Sequence, residues 1–229
     1  MSRVLVIPDI HEPATRRHAI KFCKDVQKKW KCNRVMFLGD IADWHAISFH
    51  SKHPELPGPK DEYKLAKMKI KQWHKAFPKA EVCIGNHDER LLRLAESVNI
   101  PARFLKNFNE IWETPGWNWD YNHEIDGVYY FHGVGSGGDY PAFNAMKKKC
   151  QSVVMGHIHH AAGVNWLANN NTRLFGMACG CLIDEALMNF AYAKHTLKRS
   201  MLGCGVVIDG IPYLEVMPCA KGEKYHDKK

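Results

Sequence analysis

Five short polar motifs follow one another along the chain: Asp9-Ile10-His11, Gly39-Asp40-Ile41-Ala42-Asp43, Gly85-Asn86-His87-Asp88, His132-Gly133 and Gly156-His157-Ile158-His159. Together they supply what a pair of divalent cations needs, anionic oxygen and neutral nitrogen donors in one pocket. Asp9 and His11 stand two apart, so both reach one cation if the chain turns there. Asp40 follows a glycine, and a single carboxylate can bridge two ions. Asn86 offers a carbonyl oxygen, and His132, His157 and His159 offer imidazoles. These donors, with one carboxylate shared, nearly fill two sites and leave positions for a water and a substrate oxygen, as a catalytic centre requires. His87 is spare as a ligand. It is placed to act as a general acid or to stabilise a developing negative oxygen. Asp43 is the carboxylate available to orient it.

Most of these motifs end an apolar run, so buried strands must hold them. Residues 4–8, 34–38 and 81–84 read as such strands. Between them, residues 14–30 and 61–77 read as amphipathic helices, the first with Ala19, Cys23, Val26 and Trp30 on one stripe. A strand–helix alternation predicts a parallel sheet, whose ligands collect at the carboxyl ends of its strands. Further helices are expected over 88–97, within 101–112 and over 140–150. Hairpins are expected at Asp126-Gly127, Asn169-Asn170-Asn171 and Asp209-Gly210, with a strand at 153–155. The second half is therefore β-rich, and two sheets sandwiched between helices would accommodate both halves. The last ten residues are polar and expected to fray.

The chain has 229 residues, 45% hydrophobic and 24% charged, which suits one soluble domain spanning 1–229. No run is long enough to span a membrane, and the first apolar run is too short for a signal peptide. A cytoplasmic location is expected. Eight cysteines without a CxxC pair read as reduced, buried thiols, with Cys179-Gly180-Cys181 as a packed turn. The net charge of +8 comes mostly from lysine. It favours polyanionic partners such as DNA or RNA, unless the lysines merely solvate helix faces.

The motif order resembles that of the calcineurin-like metallophosphoesterase superfamily: Asp-x-His, Gly-Asp-x-x-Asp, Gly-Asn-His-Asp/Glu, His, and Gly-His-x-His. The resemblance implies a four-layer α-β-β-α sandwich of α/β class and two divalent metal ions. Manganese is the default, with Fe, Ni or Zn as alternatives. It further implies that Asp9, His11 and His159 bind the first metal, that Asn86, His132 and His157 bind the second, and that Asp40 bridges them. His87, held by Asp43, would assist departure of the leaving group after attack by a metal-bridging hydroxide. Protein phosphatases of the superfamily carry two arginines that clamp a monoester dianion. Here Trp44-His45 and Ile84 stand at those positions. That favours a phosphodiesterase or nuclease over a phosphomonoesterase. A non-catalytic interaction protein on the same fold is a further alternative, disfavoured because every donor is retained. The stretch from Phe190 to Tyr213 also resembles small phosphoesterases of bacteriophages, which would place the protein in an infected host cytoplasm. Candidate substrate contacts are Trp44, His45, Arg90 and His160. Trp44 or Phe49 would stack on a base or anchor the loop, and His50 and His53 share that segment. Gly133–Gly138 reads as a loop rimming the cleft.

Overall fold

The computed structural model describes residues 2–49, 54–187 and 197–226. Two sheets carry the fold. The first has the order β11-β10-β1-β2-β3-β4, with β1 Arg3–Ile7, β2 Arg34–Phe37, β3 Ala80–Cys83, β4 Trp117–Asp120, β10 Gly203–Ile208 and β11 Ile211–Val216. Strands β1 to β4 run parallel, and β10 pairs antiparallel to β1 with Arg3 opposite Ile208. The second sheet has the order β5-β6-β7-β9-β8, with β5 Asn122–Ile125, β6 Val128–Phe131, β7 Val153–Met155, β8 Ala162–Ala168 and β9 Arg173–Cys179.

Period-two alternation explains how β1 serves two cores at once. Leu5 and Ile7 face the helical layer with Phe22, Val26, Ile70 and Trp73. Val4 and Val6 face the other sheet, meeting Tyr130, Val154, Phe175 and Met177. Every one of these side chains is buried, and each Val, Leu or Ile contributes about 1.5–3 kcal/mol by leaving water. Helices α1 Ala19–Trp30 and α2 Pro59–Ala76 cover the first sheet. Helix α5 Pro141–Lys149 covers the second through Ala145 and Met146. The layers are therefore α-β-β-α. Two shorter helices, α3 Arg90–Ser97 and α4 Phe108–Trp112, lie between β3 and β4 in the chain.

Several expectations are corrected. The first helix starts at Ala19 rather than 14, because the preceding segment is drawn into pairing: Glu12 bridges Ala42 and Thr15 bridges Ile183. The sheets do not divide the chain into halves. The 203–216 hairpin joins the first sheet beside β1, and residues 117–120, not read as a strand, form its far edge. Of the tail, residues 220–226 are described, and they are tied down rather than frayed. Tyr225 is buried against Phe22 (centroids 5.5 Å), and its hydroxyl donates to Asp25 at 2.6 Å. Cys179 and Cys181 are both buried around Gly180, and burial pushes both thiols up. No helix among the described residues is long and apolar enough to cross a membrane. Residues 190–194 of the phage-like stretch, with His50, His53 and His195, lie outside the described residues.

Candidate metal centre

The strand ends deliver the motifs to one place. Asp9 and His11 follow β1, Asp40 and Asp43 follow β2, and Asn86 and His87 follow β3. His132 follows β6, and His157 and His159 follow β7. The backbone is bent hard here. Asp9, His11, Asp40 and His157 have φ of 29°, 46°, 50° and 67°, left-handed conformations that cost about 1–3 kcal/mol each and cluster at functional sites. Glycines give the carboxylates clearance. A Cβ on Gly85 would collide with the Asp40 carboxylate, and one on Gly156 with that of Asp9.

Asp9, His11 and His159 form one group of converging donors, and Asp40, His132 and His157 another. Asp40 stands between them, its Oδ2 lying 3.4 Å from His11 Nε2 and 3.2 Å from His132 Nε2. Asn86 Oδ1 lies 3.0 Å from His132 Nε2, and His159 Nε2 lies 3.5 Å from Asp9 Oδ1. The test of whether this set fits cations is in the ring nitrogens. His11 Nε2 faces His159 Nε2 at 3.2 Å, and His157 Nδ1 faces His132 Nε2 at 3.1 Å. Two imidazoles cannot both accept from each other, so each pair needs a proton or a cation between them. The opposite nitrogens are already engaged: His132 Nδ1 donates to Leu38 O at 2.8 Å, and His11 Nδ1 to Asp43 Oδ1 at 3.0 Å. Those bonds fix the tautomers with both Nε2 lone pairs facing inward, as metal-binding histidines require. The residues fit a pair of divalent cations.

Charge tells the same story. Burial opposes charging His132, yet the carboxylates of Asp40 and Asp9 outweigh it and raise the imidazole to about 10. Without a cation, a proton on His132 would sit between these acid groups in its place. The Asp40 carboxyl is held well below its ordinary value by His132, His87 and His11, against its burial. Burial, then the neighbouring histidines, lower His11 and His157. The deep wall is closed to bulk solvent: Asp9, His11, Asp40 and His132 are buried, while His157 and His159 are part-exposed and form the mouth.

His87 lies at the edge of this cluster. Its Nδ1 is 2.7 Å from Asp43 O and 3.1 Å from Asp43 Oδ1. Its Nε2 accepts from Arg90 Nη2 at 3.0 Å. Burial lowers its pKa, but Asp40 and Asp43 outweigh that and raise it, while Arg90 pulls the other way. Asp43 therefore serves two histidines, His11 and His87. The companion role with His11 was not anticipated. Arg90 also donates to Asp43 O and to Trp44 O at 2.6 and 3.2 Å, so it is built into the site.

The structure brings together all of the expected donors with His87 and Asp43, and it removes Trp44. That indole is buried, stacked on Tyr63 at 6.2 Å and packed on Trp112 at 5.2 Å. It anchors the loop to the body and cannot stack on a base, which corrects its placing as a substrate contact. His45 begins a 3-10 turn whose amides, His45 N and Ala46 N, donate to the buried Glu62. Phe49 is exposed, with Arg93 over its ring at 5.2 Å. His160 is exposed beside His159, and Gly133–Gly138 runs from His132 to α5. A further buried acid belongs to the site without a role read from the sequence. Asp88 accepts amides of Ile41, Ala42 and Gly85 at 3.0–3.3 Å, so it clamps the Asp40 loop to the Asn86 loop. Burial, then the charge of Asp40, push its carboxyl up to about 7. Its signal is its place at the end of the third motif, as a carboxylate that the metal positions do not call for.

The calcineurin-like phosphoesterase profile matches residues 2–176. The chain belongs to this family. Among solved structures, this calcineurin-like phosphoesterase is similar to Vacuolar Protein Sorting 29 from Cryptosporidium parvum (12% identity, 94% of this chain and 96% of that one, TM-score 0.43). It is similar also to Yfce, a phosphoesterase from E. coli (13%, 90% and 88%, TM-score 0.41). A third is the nuclease MPE of Pseudomonas putida (13%, 92% and 86%, TM-score 0.40). No curated protein matches the sequence.

Proposed function

We propose that this family member is a dinuclear metal-dependent phosphodiesterase acting on nucleic acid or nucleotides. The observation that carries the choice of a diester is what occupies the positions of the monoester clamp. Trp44 is packed into the core, His45 sits in the turn fastened to Glu62, and Ile84 follows β3 as an aliphatic residue. A diester carries one charge and needs less clamping than a dianion. The net charge of +8 suits a polyanionic substrate.

Asp9, His11, His159 and Asp40 would hold one cation, and Asp40, Asn86, His132 and His157 the other. Manganese is the first choice to test. Bound there, the cations would supply Lewis acidity to the phosphoryl oxygens and lower the pKa of the attacking water. The chain's own contribution is at His87. Asp43 holds its Nδ1 while Nε2 accepts from Arg90; once Arg90 turns to a phosphoryl oxygen and steadies its negative charge, Nε2 would be free to carry a proton to the departing oxygen. Arg90 is also the one observation that favours a phosphomonoesterase, since a guanidinium near the cluster could receive a dianion.

The deciding experiment is a manganese-supplemented panel of a mono-aryl phosphate, a bis-aryl phosphate, single- and double-stranded DNA, and RNA. Hydrolysis of diesters at low salt, falling steeply as salt rises, supports the reading. Turnover of the monoester alone overturns it. His87→Ala should keep both metals and lose about 10²–10⁴-fold in turnover on esters with poor leaving groups, with a smaller loss on aryl esters. Equal losses on both would remove the acid role.

A further inference from the structure

A concavity of about 410 Å³ opens between the start of α5 and strand β8. It falls within the roughly 300–1,000 Å³ typical of small-ligand sites. The loops that bound it are those that carry metal donors. Asp139 and Tyr140 end the glycine-rich loop that leaves His132, and His160 follows His159 directly. Its floor is made of small residues, Gly163 among them, and a Cβ placed on Gly163 would meet nothing within 4 Å. Its rim holds Tyr140, 61% exposed, and the polar side chains of Asp139, His160, Asn165 and Lys198. An exposed tyrosine, a lining of small residues, and donors and acceptors of both kinds suit a flat ring with polar edges. A bare phosphate would meet the Asp139 carboxylate as well as Lys198, and an alkyl group would use neither the ring nor the polar rim.

We propose that this pocket is a nucleoside subsite, in which Tyr140 stacks on the base of the nucleotide esterified to the scissile phosphate. The proposal rests on the phosphodiesterase reading and narrows its substrate to nucleoside esters. The test compares two diesters of equal charge with the same leaving group, thymidine 5′-p-nitrophenyl phosphate and methyl p-nitrophenyl phosphate, with manganese present. The wild-type protein should prefer the nucleoside ester in kcat/KM. Tyr140→Ala, which removes the platform, and Gly163→Leu, which fills the floor, should each cut that preference about tenfold, near the low end of base–aromatic stacking. The loss should fall on KM, with thermal melting near wild type. Hydrolysis of both esters with the same preference in wild type and variants overturns the subsite alone. Hydrolysis of neither overturns the phosphodiesterase reading and the subsite with it.

Discussion

Asp40 reaches both groups of converging donors. One oxygen faces an imidazole from each metal group, and the other accepts the amide of His87 at 2.8 Å. Asp40→Asn should therefore empty both metal positions together, with at least a tenfold loss of affinity for each, as read by metal analysis after dialysis. Loss of one ion alone would contradict a shared ligand. The candidate donors are legible in the sequence because chemistry restricts which side chains can bind such cations, and most of their motifs end an apolar run. Arg90 and Asp88 are not legible in the same way. An arginine one residue into a helix looks like any solvated charge until the loop that receives it is placed. Nor does a linear pattern show that Asp43 must divide itself between His11 and His87.

At the scale of elements, the glycines before the donors act by what they lack. Gly156→Ala would push the new methyl into the Asp9 carboxylate, while the strand before it stays paired. Metal affinity should fall about 10–100-fold with a modest drop in melting temperature, measured by metal titration beside calorimetry. Trp44 makes the opposite case. Trp44→Ala should cost about 3–5 kcal/mol in denaturant unfolding, because it empties a buried stack with Tyr63 and Trp112. The KM of the surviving folded protein should change little; a large KM effect at full stability would return the indole to the cleft. Strands with continuous apolar runs, β1 and β2, announce themselves. The edge strand Trp117–Asp120 does not, since its two tryptophans alternate with Asn118 and Asp120 over only four residues. Sheet membership is harder still, because a hairpin signal names its own two strands and says nothing of which neighbour they join.

For the whole molecule, the protein's proton balance follows from the crowded centre. His132 is raised from 6.5 to about 10, so in metal-free protein its proton stabilises the fold fully below pH 6.5. That contribution is lost as pH rises through about 10. Metal-free protein should thus lose melting temperature on the alkaline side more steeply than metal-loaded protein, in which a cation takes the proton's place. Metal uptake near neutral pH should release protons, read by calorimetry in buffers of differing ionisation enthalpy. Uptake without release would mean that His132 is already neutral. The topology carries a further consequence. Strand β1 begins at Arg3, yet its second neighbour, β10, begins only at Gly203. During synthesis β1 keeps an open hydrogen-bonding edge until β10 has emerged. Chains stalled or cut before that hairpin expose a sticky apolar edge, and they should aggregate or recruit chaperones rather than persist half-built.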